Sequence, residues 1–202
     1  MTKQTTISKA VSLSGVGIHT GKKVKLTFKP APVNHGYAFS RVDLEGTPVI
    51  KADANLVVNT TRGTNLEKNG VSIQTSEHVL AALVGLEIDN VLIELNASEP
   101  PIMDGSSIHF VEALLEAGIE EQDAERYEYV VRENITFADE ETGSEITVIP
   151  ADNYQVTTMV DFGTKVLGTQ NANLKNLADF KDQFANARTS VSYTHLTLPT
   201  NA

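Results

Sequence analysis

The sequence predicts an α/β (α+β) chain, small β-sheets layered with helices, arranged in two units of which the second is truncated. Three observations predict it. Val24, Leu26 and Phe28 alternate with Lys23, Lys25, Thr27 and Lys29, the period of a half-buried strand. Apolar residues recur at helical spacing in Val79, Leu80, Leu83 and Val84 and again in Phe110, Val111, Leu114 and Leu115. Strands followed by a helix then recur beyond a charged run, residues 120–126, which reads as a link. The predicted division is 1–122 for the first unit, 127–189 for an incomplete second unit and 190–202 for a tail foreign to both.

In chain order, Thr6 to Leu13 gives a weak strand signal, and the glycine-dense run Gly15 to Gly21 reads as a tight turn with His19 at its tip. The alternating strand after it stops at Pro30 and Pro32. Residues 34–70 are mixed, with a strand candidate over Tyr37 to Val42 and a polar loop over Asn59 to Thr64. Thr75 or Ser76 can cap a helix from Glu77 to about Leu86. Val91 to Leu95 is a short buried strand. Asp104-Gly105-Ser106 supplies the turn and cap of a second helix that ends at Gly118. Past the charged run, strands are expected over Tyr127 to Val131, Ile135 to Phe137, Glu145 to Ile149 and Tyr154 to Phe162, and a helix over Leu174 to Phe184. From Thr189 to Ala202 no residue is charged and no helix period is visible. The native sequence is therefore expected to stop near Thr189, with a second unit too short to close its layers and exposing apolar surface.

Composition excludes whole classes of function. The 202 residues carry 16 Lys+Arg against 26 Asp+Glu, a formal charge of −10, which argues against a nucleic-acid or anionic-membrane surface. There is no cysteine, hence no disulfide scaffold, thiolate-ligated zinc, iron–sulfur cluster or thiolate nucleophile. Neither a signal peptide nor a membrane span is legible, so the expected location is cytoplasmic.

The sharpest chemical signal is Glu77-His78 at a helix start. A neutral imidazole is a good zinc ligand, and a carboxylate beside a metal can take a proton from water. Helix neighbours point about 100° apart, so one can hold the ion while the other faces the water. Spacing alone equally fits a carboxylate that complements the helix dipole beside a hydrogen-bonded histidine. Gly15 to Gly21 precedes a strand rather than a helix, so it lacks the free N–H groups of a phosphate loop. Arg62 with Lys68 could meet an anionic substrate, Asp104 reads as a turn acceptor, and His35 and His109 show no partner pattern. His195 falls in the suspect tail.

Three segments in order, GVGIHTGKKVKLTFKPAP, TSEHVLAALVGLEIDNVLIELNASEPPIMDGSS and FANART, closely resemble the UDP-3-O-acyl-N-acetylglucosamine deacetylases of lipid A biosynthesis. The resemblance implies two similar α/β domains with the active site between them. It implies Zn2+ as cofactor, His78 as one of three protein ligands and Glu77 as general base. It also implies that water activated at the metal attacks the C2 acetamide of a UDP-linked acylated glucosamine, releasing acetate and the free amine. Thr189 would help the metal hold the oxyanion, and His19 would stand beside the site. The family's other ligands, a His-x-x-x-Asp, and its acid histidine fall beyond the matching residues. The fragment alone is therefore expected to be inactive. In some lineages such deacetylases are fused to a hydroxyacyl-carrier-protein dehydratase, so a fusion is a possible partner. The rival expectation is a non-catalytic binding or scaffolding module of the same fold, and a third is a half-domain completed by another chain.

Overall fold

The computed structural model describes residues 2–163 and 165–189, and these form a mixed α+β architecture. The order begins β1 (Lys3–Ile7), β2 (Val11–Val16), β3 (Lys23–Pro30), β4 (Tyr37–Arg41), β5 (Val49–Lys51). It continues β6 (Val57–Asn59), β7 (Asn65–Lys68), β8 (Val71–Ile73), α1 (Glu77–Gly85), β9 (Val91–Leu95), α2 (Ile108–Ala117) and β10 (Ile119–Glu125). Then come β11 (Ile135–Asp139), β12 (Ser144–Val148), β13 (Val156–Asp161), β14 (Thr169–Leu174) and α3 (Phe180–Gln183).

The core sits between one sheet and two helices. Five strands pair in the order β2-β3-β9-β4-β5, with β4 and β9 parallel and the other pairs antiparallel. The alternation in β3 is realised: Val24, Leu26 and Phe28 are buried while Lys23 and Lys25 face water. Their sheet neighbours Phe39, Ile50, Val91, Ile93 and Leu95 are buried with them. Val79, Ala82 and Leu83 of α1 and Phe110, Val111 and Leu114 of α2 close the cluster. Phe28 and Phe110 meet edge to face, centroids 6.4 Å apart at 85°, a geometry that adds to plain area burial. Helix α2 ends where Gly118 turns to φ 75°, a backbone state that costs glycine little.

Two expectations about strands are corrected. Where one weak strand was expected over Thr6 to Leu13 there are two, because β1 leaves the main sheet to pair with β10. Residues 120–126, expected as a link, largely form that partner strand. The ladder to β1 pairs one edge of its backbone, and several polar side chains find partners rather than an apolar face. Gln122 donates to Ala31 O and accepts from Asn90 Nδ2, Lys3 pairs with Asp123 at 2.8 Å, and Arg126 pairs with Glu87 and Asp89.

Beyond β10, the expected strand at Tyr127 to Val131 is absent, and Tyr127 and Tyr129 stand in solvent. β11 and β12 form one hairpin and β13 and β14 another, close to the expected positions except for β14, which no pattern announced. The two hairpins share no sheet and expose Phe137, Ile146 and Met159. The expected helix over 174–184 shortens to a single 3-10 turn followed by α3. Residues 190–202, expected as a foreign tail and containing His195, lie outside the described residues. No helix among the described residues is long and apolar enough to cross a membrane.

The stretch around α3 returns to the first unit. The Phe180 ring lies against Gly85, Ala185 is fully buried, and Ser107 N donates to Ala185 O at 3.0 Å. A Cβ placed on Gly85 would fall 2.1 Å from Phe180 Cδ1. Gly85→Ala is therefore expected to displace that ring at a cost of about 1–3 kcal/mol despite alanine's better helix propensity. Faster proteolysis near residues 176–188, with a lower denaturation midpoint, is the readout.

Candidate active site

Helix α1 starts under constraint. Thr75 stands at φ 51°, unusual for a residue with a Cβ, and Ser76 at the N-cap is helical and makes no side-chain cap bond. The expected capping role of either residue is thus not realised. Ser76 Oγ instead donates to Thr64 O at 2.9 Å, and Ser76 N donates to the same carbonyl at 3.1 Å. The loop between β6 and β7 is fastened to the helix start in this way.

Glu77 turns back into the same loop, where its Oε2 accepts from Thr64 N at 2.8 Å. The loop comes close because residue 63 is glycine, at φ 146°. A Cβ there would lie 3.1 Å from Glu77 Oε1 and 3.2 Å from Thr75 Cα. The side chain of His78 is 16% exposed, and its Nε2 lies 4.0 Å from Glu77 Oε1. At 4.0 Å the two are neighbours rather than hydrogen-bonded, and among the described residues no hydrogen bond engages the His78 ring.

His19 reaches the same loop from the other side. It sits in the turn between β2 and β3, as the glycine spacing predicts, and its Nε2 lies 3.1 Å from Arg62 O. His19, Asn59, Thr61, Arg62, Asn65 and Gln74 line an open cleft of about 310 Å³. Its walls therefore offer a cation, an imidazole, a hydroxyl and three carboxamides. Lys68 does not line it.

Thr189 joins the turn before α2. It is exposed, its N–H donates to Gly105 O at 2.9 Å, and no hydrogen bond joins it to Glu77 or His78 among the described residues. Asp104 is a turn acceptor, as read from sequence: its Oδ1 accepts from Ser106 Oγ at 2.6 Å and Ser106 N at 3.1 Å. The bond from Ser106, with His109 and Arg188 nearby, holds the Asp104 carboxyl below the usual carboxylate range. Whatever stability this adds is present above the ordinary carboxylate pKa and is lost as pH falls through the lowered one. His35 is spent on Gly36 O, and His109 lies between Asp104 and Glu112.

The donor set bears directly on zinc. The His78 ring makes no hydrogen bond to another described residue, so its nitrogens are open to a ligand role. Among the described residues, however, no group of three His, Cys, Asp or Glu side chains could hold a metal ion. His78 fits one position of a zinc site, and the described residues do not complete the set.

Two members of this neighbourhood were invisible in the sequence. Thr64 acts through its backbone N–H, which carries no residue signature. Glu99, fully buried, accepts bonds from the His19 turn and from Thr75. Nothing in Ala-Ser-Glu-Pro-Pro distinguished it from a loop residue.

Comparison with known proteins places the chain among its relatives. A model of the UDP-3-O-acyl N-acetylglycosamine deacetylase family matches residues 4–198. A bifunctional enzyme LpxC/FabZ of Bacteroides thetaiotaomicron is 47% identical over 95% of this chain, which spans 41% of that relative. A UDP-3-O-acyl-N-acetylglucosamine deacetylase of Hahella chejuensis is 45% identical over 83% of the chain and 55% of the relative. One of Xanthomonas campestris pv. campestris is 53% identical over 60% of the chain and 40% of the relative. The chain thus spans between two fifths and somewhat over half of these relatives' lengths, and on the family match it belongs to the UDP-3-O-acyl N-acetylglycosamine deacetylase family.

Proposed function

We propose that the polypeptide to which this chain belongs hydrolyses the 2-acetamido group of a UDP-linked 3-O-acylated N-acetylglucosamine, giving acetate and the free amine. The observation that carries this reading is the Glu77–His78 pair at the start of α1, held against the 62–64 loop at the edge of a polar cleft. Glu77 serves as general base. Thr64 N–H fixes one carboxylate oxygen, leaving Oε1 on the side of the His78 ring, where a water proton can be received. His78 would hold the metal, and zinc, when bound, would supply Lewis-acid polarisation of the amide carbonyl. Thr189 hydroxyl supports the oxyanion. Arg62 and the carboxamides of the cleft offer donors to the sugar or phosphate oxygens of the substrate.

On the same reading, the 202 residues alone, with one of three ligands, hold zinc weakly and are inactive. The bifunctional relatives favour a parent protein carrying a dehydratase as a second catalytic unit. A nucleotide-linked substrate favours work in the cytoplasm. The test is acetate release from UDP-3-O-(3-hydroxyacyl)-N-acetylglucosamine. Equimolar acetate and free amine are expected from the polypeptide extended to the length of its relatives, and neither from the 202-residue chain. No release by the extended protein would overturn the reading, as a non-catalytic module requires.

A further inference from the structure

We infer that Glu99 is a positioning residue that locks the His19 turn to the start of α1, and so fixes the spacing of His19, the 62–64 loop and Glu77. The inference rests on the reading of Glu77–His78 as the reactive pair. Glu99 is 0% exposed, and no ion pair reaches it among the described residues. A carboxylate so placed is costly unless every lone pair is used. Here they are used by neutral donors from two separate segments. Oε2 accepts from Thr20 Oγ1 at 2.9 Å and Thr20 N at 3.0 Å, and His19 N donates to Oε1 at 3.1 Å. Thr75 Oγ1 donates to Oε1 at 3.2 Å, two residues before Glu77.

These bonds close a ring. From Glu99 it passes through His19 N to the His19 ring, from Nε2 to Arg62 O, along the loop to Thr64 N, across to Glu77 Oε2, and back through Thr75 to Glu99. The His19 turn, the 62–64 loop and the start of α1 are all members. Thr75 stays at φ 51° while its hydroxyl is engaged and its N–H donates to Asn65 Oδ1. The ring is tight at Gly17, where a Cβ would lie 2.4 Å from Glu99 Oε2 and 2.5 Å from Thr20 Oγ1. Glu99 itself faces inward to these donors, so it orders the site without touching substrate.

The variants are Glu99→Gln, which keeps the shape and one acceptor oxygen, Glu99→Ala, which keeps neither, and Gly17→Ala, which crowds the carboxylate without removing it. Amide hydrogen exchange is measured on the 202-residue chain, and kcat and KM on the extended protein. The expected result is at least tenfold faster exchange at His19, Thr20 and Thr64 in Glu99→Ala, with Leu26 and Ile93 amides unchanged. The kcat is expected to fall at least tenfold in Glu99→Ala and Gly17→Ala with KM within about threefold, and Glu99→Gln, whose NH2 faces one pair of donors, should lose part of it. Unchanged exchange at Thr64 in Glu99→Ala overturns the inference, as does a kcat in Glu99→Ala within about twofold of the unsubstituted protein. If the extended protein shows no hydrolysis at all, the functional reading fails, and the exchange at Thr64 still decides whether Glu99 holds the loop.

Discussion

Glu77→Gln in the extended polypeptide is expected to lower kcat by about 10²–10⁴-fold with little change in KM, the size of effect typical of a lost general base. The amide retains an oxygen to accept from Thr64 N, so the 62–64 loop stays fastened and the cleft keeps its shape. What is lost is the ability to receive a proton. A loss confined to kcat marks an interaction made in the transition state rather than in substrate binding. Glu67→Gln, an exposed position on β7, is the control and should leave both constants unchanged. Steady-state kinetics on the acylated UDP-sugar measure the difference.

Phe28→Ala is expected to destabilise the first unit by about 3–5 kcal/mol, the range for truncating a buried phenylalanine. The side chain is fully buried on β3 and meets Phe110 edge to face, so its removal opens a cavity between sheet and helix and strips α2 of an aromatic contact. Against a total of about 5–15 kcal/mol for an ordinary domain, this is a large share. Phe137→Ala offers the contrast: that ring is 67% exposed on β11 and should shift stability by less than about 0.5 kcal/mol. Urea denaturation followed by circular dichroism reads both.

The sequence was most legible where burial is periodic. β3 and β9, α1 and α2 fall where alternation and helical spacing put them, because each buries one apolar face against the same cluster. It was least legible where backbone bonds replace burial. β10 is a strand of mostly charged residues held by its ladder to β1, so its composition imitated a link. The β7–β8 hairpin carries its signal in Asn69-Gly70, both at positive φ, the two-residue turn that hairpins prefer. The short α3 was overestimated because Leu174, Leu177, Phe180 and Phe184 have helical spacing, yet Leu174 completes β14 and Phe180 packs on Gly85.

The candidate site divides the same way. Glu77, His78 and His19 were legible as residue types, and the structure joins them through one loop. That loop acts by the Arg62 carbonyl and the Thr64 amide, which every residue type carries, so no pattern could have named it. Thr189 owed its place entirely to resemblance; the structure ties it to the Gly105 turn.

The central claim is that His78 holds a divalent ion beside a carboxylate that does not. Zinc content per chain of the purified extended polypeptide tests it most directly, comparing the unsubstituted protein with Glu77→Gln and His78→Ala. The account predicts about one zinc in the first two and a large loss in the third, with hydrolysis surviving only in the first. A His78→Ala protein that kept a full equivalent of zinc and its rate of acetate release would contradict it.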